Sequence, residues 1–182
     1  MILEQKVLLT PKECQDIIIS CDIWNQSLLG SSTGEEYKPK LRKSFVHIKK
    51  PRKGEALYEY IQRGLSLVSE ELIAEGPFNL QILRYEEGGF IYKHKDDVTA
   101  NLNGVVFSKY YMIILLNEDF EGGDFIAYNK NDEKIILTKQ AGNVLIGDPN
   151  MFHEVTKVTK GTRYSLICFI TPDLLKANNT II

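Results

Sequence analysis

Long apolar runs are missing from this chain of 182 residues. None approaches the roughly 20 consecutive apolar residues that a spanning helix needs, so a transmembrane helix is excluded. The first residues, Met1-Ile2-Leu3-Glu4, meet a charge at once and form no apolar h-region. No signal peptide is expected, and the chain reads as soluble and cytoplasmic or otherwise intracellular. Cysteine is scarce. Cys14, Cys21 and Cys168 are an odd set with no metal-type spacing. Cys14 and Cys21 fall on one expected helix, about 10 Å apart at roughly 1.5 Å per residue, beyond disulfide reach. All three are expected to be reduced and structural. An excess of one charge is also absent. The formal net charge is -2, which gives no general attraction to nucleic acid or to an anionic membrane. No repeat, low-complexity tract or linker divides the chain, so its length suits one domain.

What is present falls into two halves. Thr10-Pro11-Lys12-Glu13 carries an N-cap, a proline at the first helical position and a capping box, with Ile17, Ile18 and Cys21 as an apolar stripe. Residues 25–40 are small and polar without a period, which predicts a long loop. Residues 44–48 alternate like a strand. From Lys53 to about Glu75, Leu57, Ile61, Leu65, Val68 and Leu72 recur at helical spacing and predict the longest helix. After residue 78 short apolar runs follow at 80–85, 110–116, 125–128, 134–137, 143–146 and 163–170, separated by glycine-rich turns. Two helices and then about eight strands predict an α+β fold, mainly β, with a double sheet of jelly-roll or cupin-like type and the helices packed on one face.

Histidine is as scarce as cysteine, and here scarcity is informative. Two of the three histidines lie in one pattern: His94-Lys95-Asp96, then His153, then Arg163 and Ser165. Two histidines and one carboxylate are the ligand set that holds non-haem Fe(II) on one face and leaves other positions open. Residues at i and i+2 of a strand share a face, so His94 and Asp96 are expected to enter a barrel mouth together. Arg163 and Ser165 have the same spacing. A guanidinium binds a carboxylate bidentately and stays charged, so Arg163 suits the distal carboxylate of a dicarboxylic co-substrate. His47 has no such context and reads as a strand residue.

In order along the chain come Arg84-Tyr85, Gly88-Gly89-Phe90, His94-Lys95-Asp96, Leu116-Asn117, Phe120-Glu121-Gly122-Gly123, Gly142 to Ile146, His153-Glu154-Val155 and Gly161-Thr162-Arg163-Tyr164-Ser165. Residues 80–171 thereby resemble the catalytic domain of the prolyl 4-hydroxylase-like branch of the Fe(II)/2-oxoglutarate dioxygenases. The resemblance implies a double-stranded β-helix. It implies a single oxygenase domain over 1–182, with a helical and loop support region at 1–78, the catalytic core at 79–171 and a tail at 172–182. It implies His94, Asp96 and His153 as iron ligands, Arg163 as the 2-oxoglutarate anchor, Tyr85 as a phenol hydrogen-bonding the same co-substrate, and Ser165 as a further residue that binds it. Tyr92 and Tyr111 are further candidates to line the site. The implied cofactors are Fe(II) and 2-oxoglutarate, with ascorbate as a reductant.

The implied reaction is hydroxylation of a C–H bond with release of succinate and CO2. A peptide or protein, often at proline, is the first substrate class, and a free amino acid or small molecule the second. A non-catalytic, metal-binding cupin-like module is the alternative from another class. Two departures loosen the prolyl label. Collagen-type members often carry lysine where this chain has Arg163, and the oxygen-sensing members carry a second tyrosine near the position of Leu115. Asp96 argues against the related halogenases, which lose that carboxylate. Phe169 stands where nucleic-acid demethylases have a second arginine, so nucleic acid is not the expected partner. The basic stretch Lys38, Lys40, Arg42, Lys43, Lys49, Lys50, Arg52 and Lys53 is expected to be a solvated strand edge. Residues 25–40 and 97–108 are the expected substrate-gating loops.

Overall fold

The computed structural model describes residues 3–31, 34–36, 38–69, 72–96, 99–101, 104–106, 110–171 and 174–177. The chain opens with β1 (Leu3–Val7), α1 (Pro11–Ile19), β2 (Asn25–Gln26), β3 (Leu29–Ser31), β4 (Gly34–Glu36), β5 (Arg42–Lys43), β6 (Phe45–Lys49) and α2 (Ala56–Leu65). It continues with β7 (Leu72–Ala74), β8 (Leu80–Tyr85), β9 (Phe90–His94), β10 (Thr99–Asn101), β11 (Gly104–Val106), β12 (Tyr110–Leu115) and β13 (Glu121–Gly122). Next come β14 (Phe125–Tyr128), β15 (Lys134–Ile136), β16 (Asn143–Gly147), β17 (His153–Val155), β18 (Val158–Lys160), β19 (Arg163–Ile170) and β20 (Leu175–Ala177).

Two antiparallel sheets dominate. The major sheet runs β1-β16-β12-β19-β8-β6-β2, and the minor sheet runs β15-β14-β17-β9-β5. The two-residue period of a strand divides each central strand between two cores. Leu80 and Ile82, Met112 and Ile114, Val144 and Ile146, and Leu166, Cys168 and Ile170 face the helices. There they pack with Cys14 and Ile17 of α1 and Tyr58, Ile61 and Leu65 of α2. Leu83 and Tyr85, Tyr111, Ile113 and Leu115, and Leu145 point the other way, into a second core with Ile91, Phe125 and Val155 of the minor sheet. Arg163 and Ser165 are in phase with Ile167 and Phe169, which pack on this inter-sheet core. The alternation of β19 therefore aims a guanidinium and a hydroxyl into the barrel. No helix among the described residues is long and apolar enough to cross a membrane.

Local chemistry explains the elements. Thr10 caps α1 with the full capping box, and Pro11 stands at its start. Helix α2 is shorter than the apolar spacing predicts. It holds Gly64, and the Ser66 hydroxyl at its end donates to the Arg63 carbonyl, a local bond that competes with further helix. Leu72 lies instead in β7, whose backbone pairs with β20. The expected loop at 25–40 contains β2, on the edge of the major sheet, and the β3–β4 pair. The region before residue 79 thus extends both sheets, β1 against β16, β6 against β8 and β5 against β9. Part of 97–108 is a hairpin, β10 with β11. Asp97, Val98, Leu102, Asn103 and residues 107–108 lie outside the described residues, as do 32, 33 and 37. The three cysteines are free, and burial pushes the Cys14 and Cys168 thiols up, to about 11 and about 12.

One glycine ties the N-terminal segment to the sheets. The Gly142 amide donates to the Leu115 carbonyl, and its carbonyl accepts from Leu8 and Leu9. Its φ is +85°, and a Cβ there would stand 1.8 Å from the Leu9 carbonyl oxygen. Gly142→Ala is expected to cost at least about 1–2 kcal/mol from the left-handed backbone alone. Urea unfolding would show the loss, and an unchanged midpoint would contradict this account of the contact.

Candidate active site

The three candidate ligands read from the sequence meet. One donor atom from each of His94, Asp96 and His153 falls within 4.8 Å of the others. His94 Nε2 lies 3.5 Å from Asp96 Oδ1, and His153 Nε2 lies 3.0 Å from Asp96 Oδ2. The imidazole centroids are 4.3 Å apart. Both rings are held in the same way. His94 Nδ1 is 2.7 Å from the Tyr92 carbonyl oxygen, and His153 Nδ1 is 3.1 Å from the Met151 carbonyl oxygen. A carbonyl only accepts, so each Nδ1 carries a hydrogen, and each Nε2 points at Asp96.

The local fold differs from the expectation of a shared strand face. His94 is the last residue of β9, and Asp96 lies past its end. A bulge does the aiming. His153 pairs with His94 and Val155 with Ile91, so β9 holds one residue more than β17 over this span. Ile91 faces the inter-sheet core. Strict alternation from Ile91 would turn His94 outward; the extra residue turns it in, opposite His153. Asp96 is then fixed by its own amide, which donates to the Pro149 carbonyl at 3.1 Å. The Asp148 carboxylate accepts from the amide and side chain of Asn150 and orders that turn. Burial opposes charge on Asp96, but hydrogen bonds from His153 and His94 outweigh it and hold the carboxyl well below the usual carboxylate range.

Arg163 is 1% exposed. Its Nη1 donates to Ser165 Oγ at 2.8 Å, and its guanidinium carbon lies 5.3 Å from the centre of the Tyr85 ring, its register partner. Nε has no hydrogen-bond partner, and Arg163 forms no ion pair among the described residues. The one carboxylate that acts on it, Asp124, is bound to Lys139 at 3.0 Å. Burial lowers the guanidinium pKa, the signature of a desolvated cation with too little compensation. Leu115, facing Ser165 across β12 and β19, adds only apolar wall.

The remaining candidates separate. Tyr111 is fully buried with its ring 5.3 Å from that of His153. Burial, then Asp96 and Asp148, push its phenol up, so it stays protonated. Tyr92 is 57% exposed and stacks edge-on to Phe90; it reaches the centre through its carbonyl. His47 sits apart in β6, with Nδ1 2.7 Å from the Ile23 carbonyl oxygen and Trp24 nearby. The basic stretch is dispersed: Arg42 and Lys43 edge the minor sheet, whereas Lys50, Arg52 and Lys53 line a separate cleft with Tyr58 and Pro77. Sequence reading missed Phe125, whose ring is 5.6 Å from that of His153, and the bulge itself.

The family described as the 2OG-Fe(II) oxygenase superfamily matches residues 80–171. The chain belongs to this superfamily. None of the curated proteins matches it. The oxygenase fold is shared with a Pseudomonas putida prolyl-4-hydroxylase at a TM-score of 0.67 and 17% identity, over 92% of this chain and 91% of that one. It is shared with a viral collagen prolyl hydroxylase of Paramecium bursaria Chlorella virus-1, solved with 2OG, at 0.65 and 17%, over 92% and 94%. A prolyl hydroxylase from Trichoplax adhaerens, in complex with a hypoxia inducible factor peptide fragment, matches at 0.62 and 15%, over 89% and 76%. The family implies Fe(II) and 2-oxoglutarate, and this oxygenase has groups that fit both: a two-His, one-carboxylate donor set for the metal and an unpaired buried cation for a dicarboxylate.

Deleting Lys93, one of the two residues between the paired Ile91 and His94, should restore plain alternation and turn His94 away. Fe(II) or Mn(II) affinity is expected to fall by roughly 100-fold, as for loss of a supporting group at a metal site, while the β-type circular dichroism persists. Wild-type metal affinity in the deletion variant would remove the bulge from the account.

Proposed function

We propose that this protein is an Fe(II)- and 2-oxoglutarate-dependent hydroxylase of peptidyl C–H bonds, prolyl residues first among them, releasing succinate and CO2. The whole chain acts as one oxygenase domain in this reading. The observation that carries it is Arg163: a buried guanidinium without an ion pair among the described residues, in the barrel that also holds the His94, Asp96 and His153 cluster. A buried charge without a partner is costly, and a site that receives a dicarboxylate supplies the missing partner. A metal-binding module with no co-substrate has no use for it.

His94, Asp96 and His153 would hold the metal, which would supply the oxygen chemistry, with ascorbate as the proposed reductant. Arg163 takes the distal carboxylate and so orients the co-substrate. Ser165 fixes the guanidinium by its hydrogen bond, and Tyr85 walls the same end. Ile113, Leu115 and Leu145 exclude water from the enclosed side. The peptide preference rests on the prolyl hydroxylases that share the fold.

Succinate release, assayed with Fe(II), 2-oxoglutarate and a panel of prolyl peptides and free amino acids, tests the reading. A peptide is expected to stimulate turnover, and Asp96→Ala to abolish it. Arg163→Met is expected to raise the 2-oxoglutarate requirement roughly 100-fold, as for loss of two charged hydrogen bonds, without lowering the stability of the metal-free protein. Wild-type succinate output from His94→Ala would overturn the assignment.

A further inference from the structure

Tyr111 places a polar group where the fold has no use for one. The residue is 0% exposed, and among the described residues its phenol oxygen has no hydrogen-bond partner. It projects from β12 into the inter-sheet core beside Ile113 and Leu115, which complete that wall with hydrocarbon alone. Phenylalanine would fill the same volume without leaving a buried hydroxyl unsatisfied, so packing does not explain the oxygen.

Position does. The Tyr111 ring lies 5.3 Å from that of His153, whose Nε2 faces Asp96. Its register partner across β16 is Gly147. A Cβ on Gly147 would stand 2.6 Å from both Cζ and Oη of Tyr111. The missing side chain is thus the slot in which the phenol end lies. Gly147 leads directly into the Asp148–Asn150 turn, whose Pro149 carbonyl accepts the Asp96 amide. The hydroxyl is therefore a donor at the tip of a ring that lies beside His153, and among the described residues nothing accepts from it.

We infer that Tyr111 is a co-substrate-binding residue that donates its hydroxyl hydrogen to the 2-oxo-acid head of 2-oxoglutarate at the metal, the end opposite the one Arg163 holds. The inference rests on the function proposed above and adds a second, independent anchor. The two anchors divide the ligand. Arg163 reads the distal carboxylate, and Tyr111 reads the head. The cost of an unmade hydrogen bond in the free protein is recovered when the ligand enters.

Calorimetric titration of Mn(II)-loaded protein with 2-oxoglutarate and with pyruvate, which keeps the head and lacks the distal carboxylate, tests this without turnover. Tyr111→Phe is expected to weaken both ligands by roughly tenfold or more, the effect of one hydrogen bond to a charged group. Arg163→Met is expected to weaken 2-oxoglutarate and spare pyruvate. The melting temperature of metal-free Tyr111→Phe is expected to equal or exceed that of wild type. Gly147→Ala, which crowds the phenol but keeps it, is expected to weaken both ligands as well. Unchanged 2-oxoglutarate and pyruvate affinities in Tyr111→Phe, or a loss confined to Mn(II) affinity, would overturn the inference while leaving the proposed function standing. Failure of wild-type Mn(II) protein to bind 2-oxoglutarate at all would overturn the proposed function, and this inference with it.

Discussion

A guanidinium buried between two β-sheets, with no carboxylate among the described residues to neutralise it, is the constraint around which this molecule is arranged. Arg163 gains one hydrogen bond from Ser165 and the face of Tyr85, and its Nε gains nothing. Such a group persists in a stable fold only because the surrounding structure over-determines it. β19 is bonded on both sides along its length, to β12 and to β8. Its outward residues Leu166, Cys168 and Ile170 are locked under the helices. The strand therefore has no freedom to rotate Arg163 to solvent. A core built on the helix side keeps an unsatisfied cation on the other.

The metal cluster obeys the opposite logic. Its polar atoms are almost all satisfied within the protein: both Nδ1 atoms face carbonyls, and Asp96 is held through its amide and by both imidazoles. These contacts set the direction of each donor before any ion arrives. The two sites face one another between the sheets, with pre-ordered donors at the minor sheet and unspent donors, Arg163 and Tyr111, on strands of the major sheet. That is the division expected where a metal is resident and an anionic co-substrate comes and goes.

Much of this was legible in the sequence, for reasons that particular residues make plain. The strands at 80–85, 125–128 and 163–170 stood out because apolar runs were bounded by glycine turns, and the structure returns them with the same limits. The alternation of β19 made Arg163 and Ser165 co-facial on the page and in space. That His94, Asp96 and His153 belong together was legible as residue types in a histidine-poor chain. What failed was geometry that depends on partners. The one-residue excess in β9 exists only relative to β17, so the expectation that His94 and Asp96 share a strand face missed the bulge. The helical spacing of Leu72 carried the helix too far, because pairing of β7 with β20 outweighs a periodic coincidence. Residues 25–40 carried no period, yet short strands form there where backbone partners exist. Tyr111 could be named only as a lining residue, since an unsatisfied hydroxyl is a property of the packed interior.

The most direct test of the central claim is an anaerobic titration of the protein with Fe(II) and then 2-oxoglutarate, followed in the visible range. A weak charge-transfer band that requires both additions, and is lost in Asp96→Ala, is the result this account predicts. Absence of the band in wild-type protein that has bound Fe(II) would contradict it, because the buried arginine would then be serving something other than a chelating 2-oxo acid.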